Sequence, residues 1–235
     1  MIILHLNRGS DIIKMSFTYA FGDIHGCFAT LLKLWHIIDP DLEQGDKVIF
    51  LGDYIDRGPD TIGVLRFIKS LTEKYPSQVI ALKGNHEDMC VRYYKGLDKI
   101  WTYNQGNITK KAFNILSEDE RNHLLTWMEE LPERYSDSYF RYCHSGYWAA
   151  EQDEYGLNKV LWDRLWLRQP LYVHAKPTIF GHTPLKQVSQ VFPGMYGIDT
   201  GCVYGHSLSV AIINNDTGNI SFKSVYKEPS TEETS

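Results

Sequence analysis

Val48-Ile49-Phe50-Leu51 and Val79-Ile80-Ala81-Leu82 are short apolar runs, continuous rather than alternating, and Thr18-Tyr19-Ala20-Phe21 before them is rich in strand-forming residues. Runs of that kind predict strands buried on both faces. Between them the period changes. Leu31, Leu34, Trp35 and Ile38 repeat at helical spacing and stop before Pro40, and Ile62, Leu65, Phe67, Ile68 and Leu71 predict a second helix. Strand, helix, strand, helix, strand is α/β organisation. Each strand runs out into polar residues at its carboxyl end, where sheets of this type bind ligands.

From about 88 to 134 the chain turns aromatic and helical, which predicts a helical insertion over the strand ends. Ser117 with Glu120 has the form of a capping box for a helix carrying Leu124, Leu125, Met128 and Leu131, stopped by Pro132. Tyr93, Tyr94, Trp101 and Tyr103 in this stretch are expected to pack rather than to touch a substrate. Strands return at Tyr139–Cys143, Thr178–Phe180, Val188–Val191, Met195–Ile198, Ser207–Ile213 and Ile220–Tyr226, with a hairpin turn at Asn214–Gly218 and helical segments between Asn158 and Leu167. The expected layout is an extension over 1–14 outside the functional fold, one domain over 15–227, and a disordered tail over 228–235.

The chain has 235 residues and a net charge of −5. That sign makes a nucleic-acid partner a poor expectation. No apolar run is long enough for a membrane span. Cys27, Cys90, Cys143 and Cys202 are widely spaced, form no CxxC pair, and lack the following Arg of a thiolate-phosphatase loop. They read as small buried residues in a reducing compartment, and the start of the chain does not read as a signal peptide, so the expected location is the cytoplasm.

The chemistry lies at the strand ends. Gly22-Asp23-Ile24-His25-Gly26, Gly52-Asp53-Tyr54-Ile55-Asp56-Arg57-Gly58 and Gly84-Asn85-His86-Glu87 begin about one βα repeat apart and should share one rim. His144 in Cys143-His144-Ser145-Gly146 and His182 in Gly181-His182-Thr183-Pro184 occupy similar settings. Any one of these alone would be a turn or a packing histidine. Together, Asp, Asn and His side chains converging on one rim form a donor set for two divalent ions of the Mn, Fe or Zn kind. No phosphate loop, GxGxxG or GxSxG motif competes.

At these residues the sequence resembles the calcineurin-like metallophosphoesterases of the phosphoprotein phosphatase family. Gly22–Gly26, Gly52–Gly58 and Gly84–Glu87 match that family's GDxHG, GDxxDRG and GNHE signatures, and the likeness runs from about Thr18 to Ile213. Val160-Leu161-Trp162-Asp163-Arg164 and Ile198-Asp199-Thr200-Gly201 are similar to stretches of the small bacterial and bacteriophage serine/threonine protein phosphatases. The resemblance implies a four-layer α/β/β/α sandwich, two mixed sheets flanked by helices. It implies that Asp23 and His25 bind a first metal and that Asp53 bridges to a second, completed by Asn85, His144 and His182. His86 would be the general acid, oriented by Asp56. Arg57 and Arg164 would hold phosphate oxygens, with Arg168, one helical turn on, the alternative to Arg164. Lys83 stands where many relatives have Arg, and His206 is expected to be a surface residue.

The implied reaction is hydrolysis of phosphomonoesters by direct attack of a metal-bridging hydroxide, most simply with Mn, on phosphoserine or phosphothreonine in a protein or peptide. The alternative is a dinucleoside polyphosphate (diadenosine tetraphosphate) hydrolase. The symmetrical enzymes of that kind typically carry Ala where Asp56 stands. A non-catalytic metal-binding module would be expected to have lost a ligand or the acid, and none is missing.

Overall fold

The computed structural model describes residues 15–97, 99–148, 158–164 and 176–229. The expected extension over 1–14, the tail from 230 and Arg168 lie outside the described residues. β1 (Phe17–Phe21), α1 (Phe28–Ile38), β2 (Lys47–Phe50), α2 (Thr61–Lys74) and β3 (Val79–Ala81) follow the alternation expected from their apolar patterns. α1 ends at Asp39 in a left-handed turn before Pro40, and α2 starts where the Asp60 side chain accepts the Gly63 N–H.

β1, β2 and β3 are parallel neighbours, and Phe21 pairs with Phe50 and Phe50 with Ala81, so the three strands end level with one another. Two antiparallel strands, β9 (Ser207–Asn214) and β10 (Ile220–Tyr226), complete the order β10-β9-β1-β2-β3. The second sheet has the order β4-β5-β6-β8-β7, built from β4 (Arg134–Ser136), β5 (Arg141–Cys143), β6 (Thr178–Phe180), β7 (Ser189–Phe192) and β8 (Met195–Gly197). In it β5, β6 and β8 are parallel. Both sheets are therefore mixed.

Alternate residues of each strand go to opposite sides. Tyr19, Phe21, Val48, Phe50, Val79 and Ala81 pack under the helices with Leu31, Leu34, Val64, Leu65 and Ile68. Ala20, Ile49, Leu51 and Leu82 meet Phe140, Tyr142, Ile179 and Ile198 between the sheets. The unbroken hydrophobicity of Tyr19–Phe21, Val48–Phe50 and Val79–Ala81 thus follows from having a layer on each side.

The stretch after β3 holds α3 (Asn85–Tyr94), α4 (Ile100–Tyr103), α5 (Asn107–Phe113) and α6 (Glu118–Glu130), and α7 (Lys159–Trp162) follows β5. Two details differ from expectation. α3 begins at Asn85, so the Asn85-His86-Glu87 segment is itself the first helical turn. At α6, Ser117 Oγ accepts the Glu120 N–H, but the Glu120 carboxylate is engaged by Arg66 of α2, so the box is half formed. Glu228, assigned to the tail, is held: its N–H donates to Thr30 Oγ1 at 2.9 Å and its carboxylate pairs with Lys33.

The candidate active site

Both sheets deliver residues to one rim from the carboxyl ends of parallel strands. Asp23 and His25 follow β1, Asp53, Asp56 and Arg57 follow β2, and Asn85 and His86 open α3 after β3. His144 follows β5 and His182 follows β6. The backbone there is unusual. His25, Asp53, Asp56, Arg57 and His182 all have positive φ, between 44° and 72°. Non-glycine residues rarely adopt that region, at a cost of about 1–3 kcal/mol each, and such strain gathers at functional sites. Glycine permits close approach here, since a Cβ on Gly84 would lie 2.2 Å from Asp53 Oδ1.

Among the described residues two groups of potential ligand atoms form, each with its atoms within 4.8 Å of one another: His25, Asp53 and His86, and Asp53, His144 and His182. Asp53 belongs to both. His25 Nδ1 is 2.7 Å from the Ile55 carbonyl, which fixes the proton there and leaves Nε2 facing Asp53 Oδ2 at 3.5 Å. His144 Nδ1 lies 2.9 Å from the Leu51 carbonyl, so its Nε2 faces Asn85 Oδ1 at 2.9 Å and Asp53 Oδ1 at 3.3 Å. His182 Nδ1 joins Asn85 Oδ1 at 3.0 Å, and its Nε2 is buried with no hydrogen-bond partner among the described residues. Asp23 lies in neither group; both of its carboxylate oxygens accept the His182 N–H at 3.0 Å.

The electrostatics carry the same message. Burial, then Asp199, push the Asp23 carboxyl well above the usual range. Burial lowers His25 to about 3 and also lowers His182. Burial would lower His144 too, but Asp53 and Asp23 outweigh it and hold its proton up to about 9. Burial opposes the charge on Asp53, yet His144 and His86 keep its carboxyl well below the usual value. Imidazole nitrogens, an amide oxygen and buried carboxylates crowd one space, and the raised proton affinity of His144 marks its demand for positive charge. Borderline divalent ions fit that donor set.

Three donors converge on the Asp56 carboxylate: His86 Nδ1 at 2.6 Å and Trp101 Nε1 at 2.8 Å on Oδ2, and Thr109 Oγ1 at 2.6 Å on Oδ1. The two remaining cationic candidates sit beside the ligand groups. Arg57 Nη1 contacts His25, while Arg57 Nε is buried without a partner among the described residues. Arg164 Nη2 donates to the His182 carbonyl at 3.2 Å. Lys83 is spent elsewhere, capping the Glu129 carbonyl of α6 at 2.8 Å. His206 is exposed.

Sequence reasoning missed four residues. Asp199, at the end of β8, is buried against Asp23 and Asp53, and burial raises it to about 6. Its strand-end position was a usable signal. Glu87 is fully buried and accepts the N–H groups of Asp53, Tyr54 and Gly84 at 2.8, 2.8 and 2.9 Å, tying the β2 loop to α3. Glu87→Gln turns an NH2 group towards those donors and is expected to lower unfolding free energy by about 1–3 kcal/mol, read from urea midpoints. Trp101 and Thr109 carry Asp56 from the helical stretch. Trp101 is buried, as a packing residue should be, but its N–H has a further partner.

Comparison with known proteins agrees with this rim. The chain is 32% identical over 206 residues to serine/threonine-protein phosphatase 1 of Salmonella typhimurium, covering 83% of this chain and 91% of that protein. It is 29% identical over 218 residues to the asymmetrical bis(5'-nucleosyl)-tetraphosphatase PrpE of Bacillus subtilis, covering 80% and 87%. Among solved structures, a protein serine/threonine phosphatase from Saccharomyces cerevisiae superposes with a TM-score of 0.67 at 14% identity, over 92% of this chain and 81% of that one, a likeness of fold. The calcineurin-like phosphoesterase profile matches residues 18–210, a span that contains every strand-end residue described above. The chain belongs to the calcineurin-like phosphoesterase family, and is a metal-dependent phosphatase of that family.

Proposed function

We propose that this chain is a serine/threonine protein phosphatase that hydrolyses phosphomonoesters in proteins or peptides. The observation that carries the reading is the 2.6 Å contact between Asp56 Oδ2 and His86 Nδ1. It fixes the imidazole with Nε2 turned towards the ligand groups, 4.0 Å from Asp53 Oδ2. Similarity to the Salmonella phosphatase over most of both chains supports the same substrate class.

In this reading Asp23, His25 and Asp53 hold one divalent ion, and Asp53, Asn85, His144 and His182 hold a second, with manganese the first choice. Bound there, the pair would neutralise phosphate charge and lower the pKa of water. Arg57 and Arg164 grip the phosphate oxygens; a planar guanidinium matches two of them at once. Water adds to phosphorus as the ester P–O bond breaks. The departing alkoxide takes a proton from His86 Nε2, and the water's proton passes to solvent, leaving alcohol and phosphate. Asp56 keeps the ring from turning during the transfer. None of the four cysteines forms a disulfide, which suits a cytoplasmic setting, and no helix among the described residues is long and apolar enough to cross a membrane.

A second reading, dinucleoside tetraphosphate hydrolysis, draws on the similarity to the Bacillus enzyme. Turnover of a phosphoserine peptide against diadenosine tetraphosphate separates the two. The peptide is expected to be the better substrate, and strong preference for the dinucleotide would reverse the order. Chelation should abolish p-nitrophenyl phosphate hydrolysis, and added Mn should restore it.

A further inference from the structure

The helical stretch after α3 does more than cover the rim. Trp101, on α4, and Thr109, on α5, are both fully buried and lie far from Asp56 in sequence, yet each donates to a different oxygen of its carboxylate. Thr109 Oγ1 also accepts the Asp56 backbone N–H at 3.0 Å and lies 3.2 Å from Thr61 Oγ1, so the hydroxyl uses its full bonding capacity. The indole is clamped: the Tyr93 and Tyr94 rings pack on it at 5.2 and 5.9 Å, and a Cβ on Gly106 would come within 2.5 Å of its nitrogen.

A buried indole needs some acceptor, and a backbone carbonyl would serve. Here the acceptor is the carboxylate that holds the His86 ring. With Oδ1 taken by Thr109 and Oδ2 shared by Trp101 and His86, the carboxylate cannot rotate about its terminal bond without breaking one of these contacts. Asp56 itself sits at φ 72°, a conformation that its backbone bond to Thr109 helps to hold.

We infer that Trp101 and Thr109 are positioning residues for proton delivery, and that α4 and α5 aim the His86 imidazole through Asp56. This inference rests on the reading of His86 as the proton donor. It assigns the helical stretch a role in turnover of esters with poor leaving groups. An alkoxide such as that of serine needs its proton as the P–O bond breaks, whereas p-nitrophenolate leaves without one. Misaiming the donor should therefore slow the first class selectively.

The test uses the Mn-loaded full chain with phosphoserine and p-nitrophenyl phosphate as paired substrates. Thr109→Val, which keeps the shape and removes the hydroxyl, and Trp101→Phe, which keeps an aromatic ring and removes the N–H, should each lower kcat on phosphoserine by about 10–100-fold, a part of the roughly 10²–10⁴-fold that a positioned general acid contributes. On p-nitrophenyl phosphate the loss should stay below about threefold, with metal content unchanged. Thr109→Ser should restore phosphoserine turnover. Equal losses on both substrates, or no loss on either, would overturn the inference. If Thr109→Val does not fold, Trp101→Phe decides. His86→Asn is run alongside. Selective loss there, with none in the Trp101 and Thr109 variants, overturns the positioning role alone. Uniform loss in His86→Asn overturns the proton-donor reading and this inference with it.

Discussion

Asp53→Asn should strip both ions from the protein together. Asp53 is the one side chain common to both ligand groups, with Oδ2 at 3.5 Å from His25 Nε2 and Oδ1 at 3.3 Å from His144 Nε2. A carboxylate can present an anionic oxygen to each side, whereas an amide presents an oxygen to one and an NH2 to the other. Its carboxylate also accepts the His86 N–H at 3.1 Å, at the positive end of α3, so the substitution removes a favourable charge there as well. Elemental analysis should find metal reduced at both positions. Hydrolysis should fall by on the order of 10³-fold, since the charge stabilisation supplied by such ions is several kcal/mol and each 1.36 kcal/mol is tenfold. Asp23 belongs to one proposed ligand set only, so Asp23→Asn should reduce mainly one ion. Equal metal contents in the two variants would refute a shared role for Asp53.

His86→Asn should leave the metals and remove the chemistry. His86 Nε2 lies near Asp53, which puts its ring within the first ligand group, but its Nδ1 is committed to Asp56. A proton donor and a ligand predict different losses. As a donor, its removal should lower kcat on a phosphoserine peptide by about 10²–10⁴-fold with metal content intact. Loss of an ion on substitution would instead make His86 a ligand. Measuring metal content and turnover on the same preparation settles which.

The parts of the fold that announce themselves in sequence are those buried on two sides. The apolar runs Tyr19–Phe21, Val48–Phe50 and Val79–Ala81 are unbroken because each contacts helices on one face and the second sheet on the other. β4 gave no such signal: Arg134, Tyr135 and Ser136 form an edge strand with both end residues exposed, so nothing apolar marks it. The start of α3 was hidden for a different reason. Its first turn, Asn85-His86-Glu87, is polar and buried because it serves the site, whereas an amphipathic pattern records only what serves the core. The strand-end side chains were legible because the strand that delivers each lies next to it in the chain. Glu87, Trp101 and Thr109 act on residues more than thirty positions away, and only the folded chain brings them there.

The ligand candidates are divided between the sheets: Asp53 and Asn85 come from the first, His144 and His182 from the second. A cation held by all four would cross-link the two halves of the sandwich, whose facing sides pack Leu51 and Leu82 with Tyr142 and Ile179. Occupancy and resistance to unfolding are then thermodynamically linked, at about 2.7 kcal/mol per site when free ion stands at a hundred times its dissociation constant. Metal starvation would therefore act on the persistence of this enzyme as well as on its rate, because a chain that has lost its ions has also lost the clasp across its central seam.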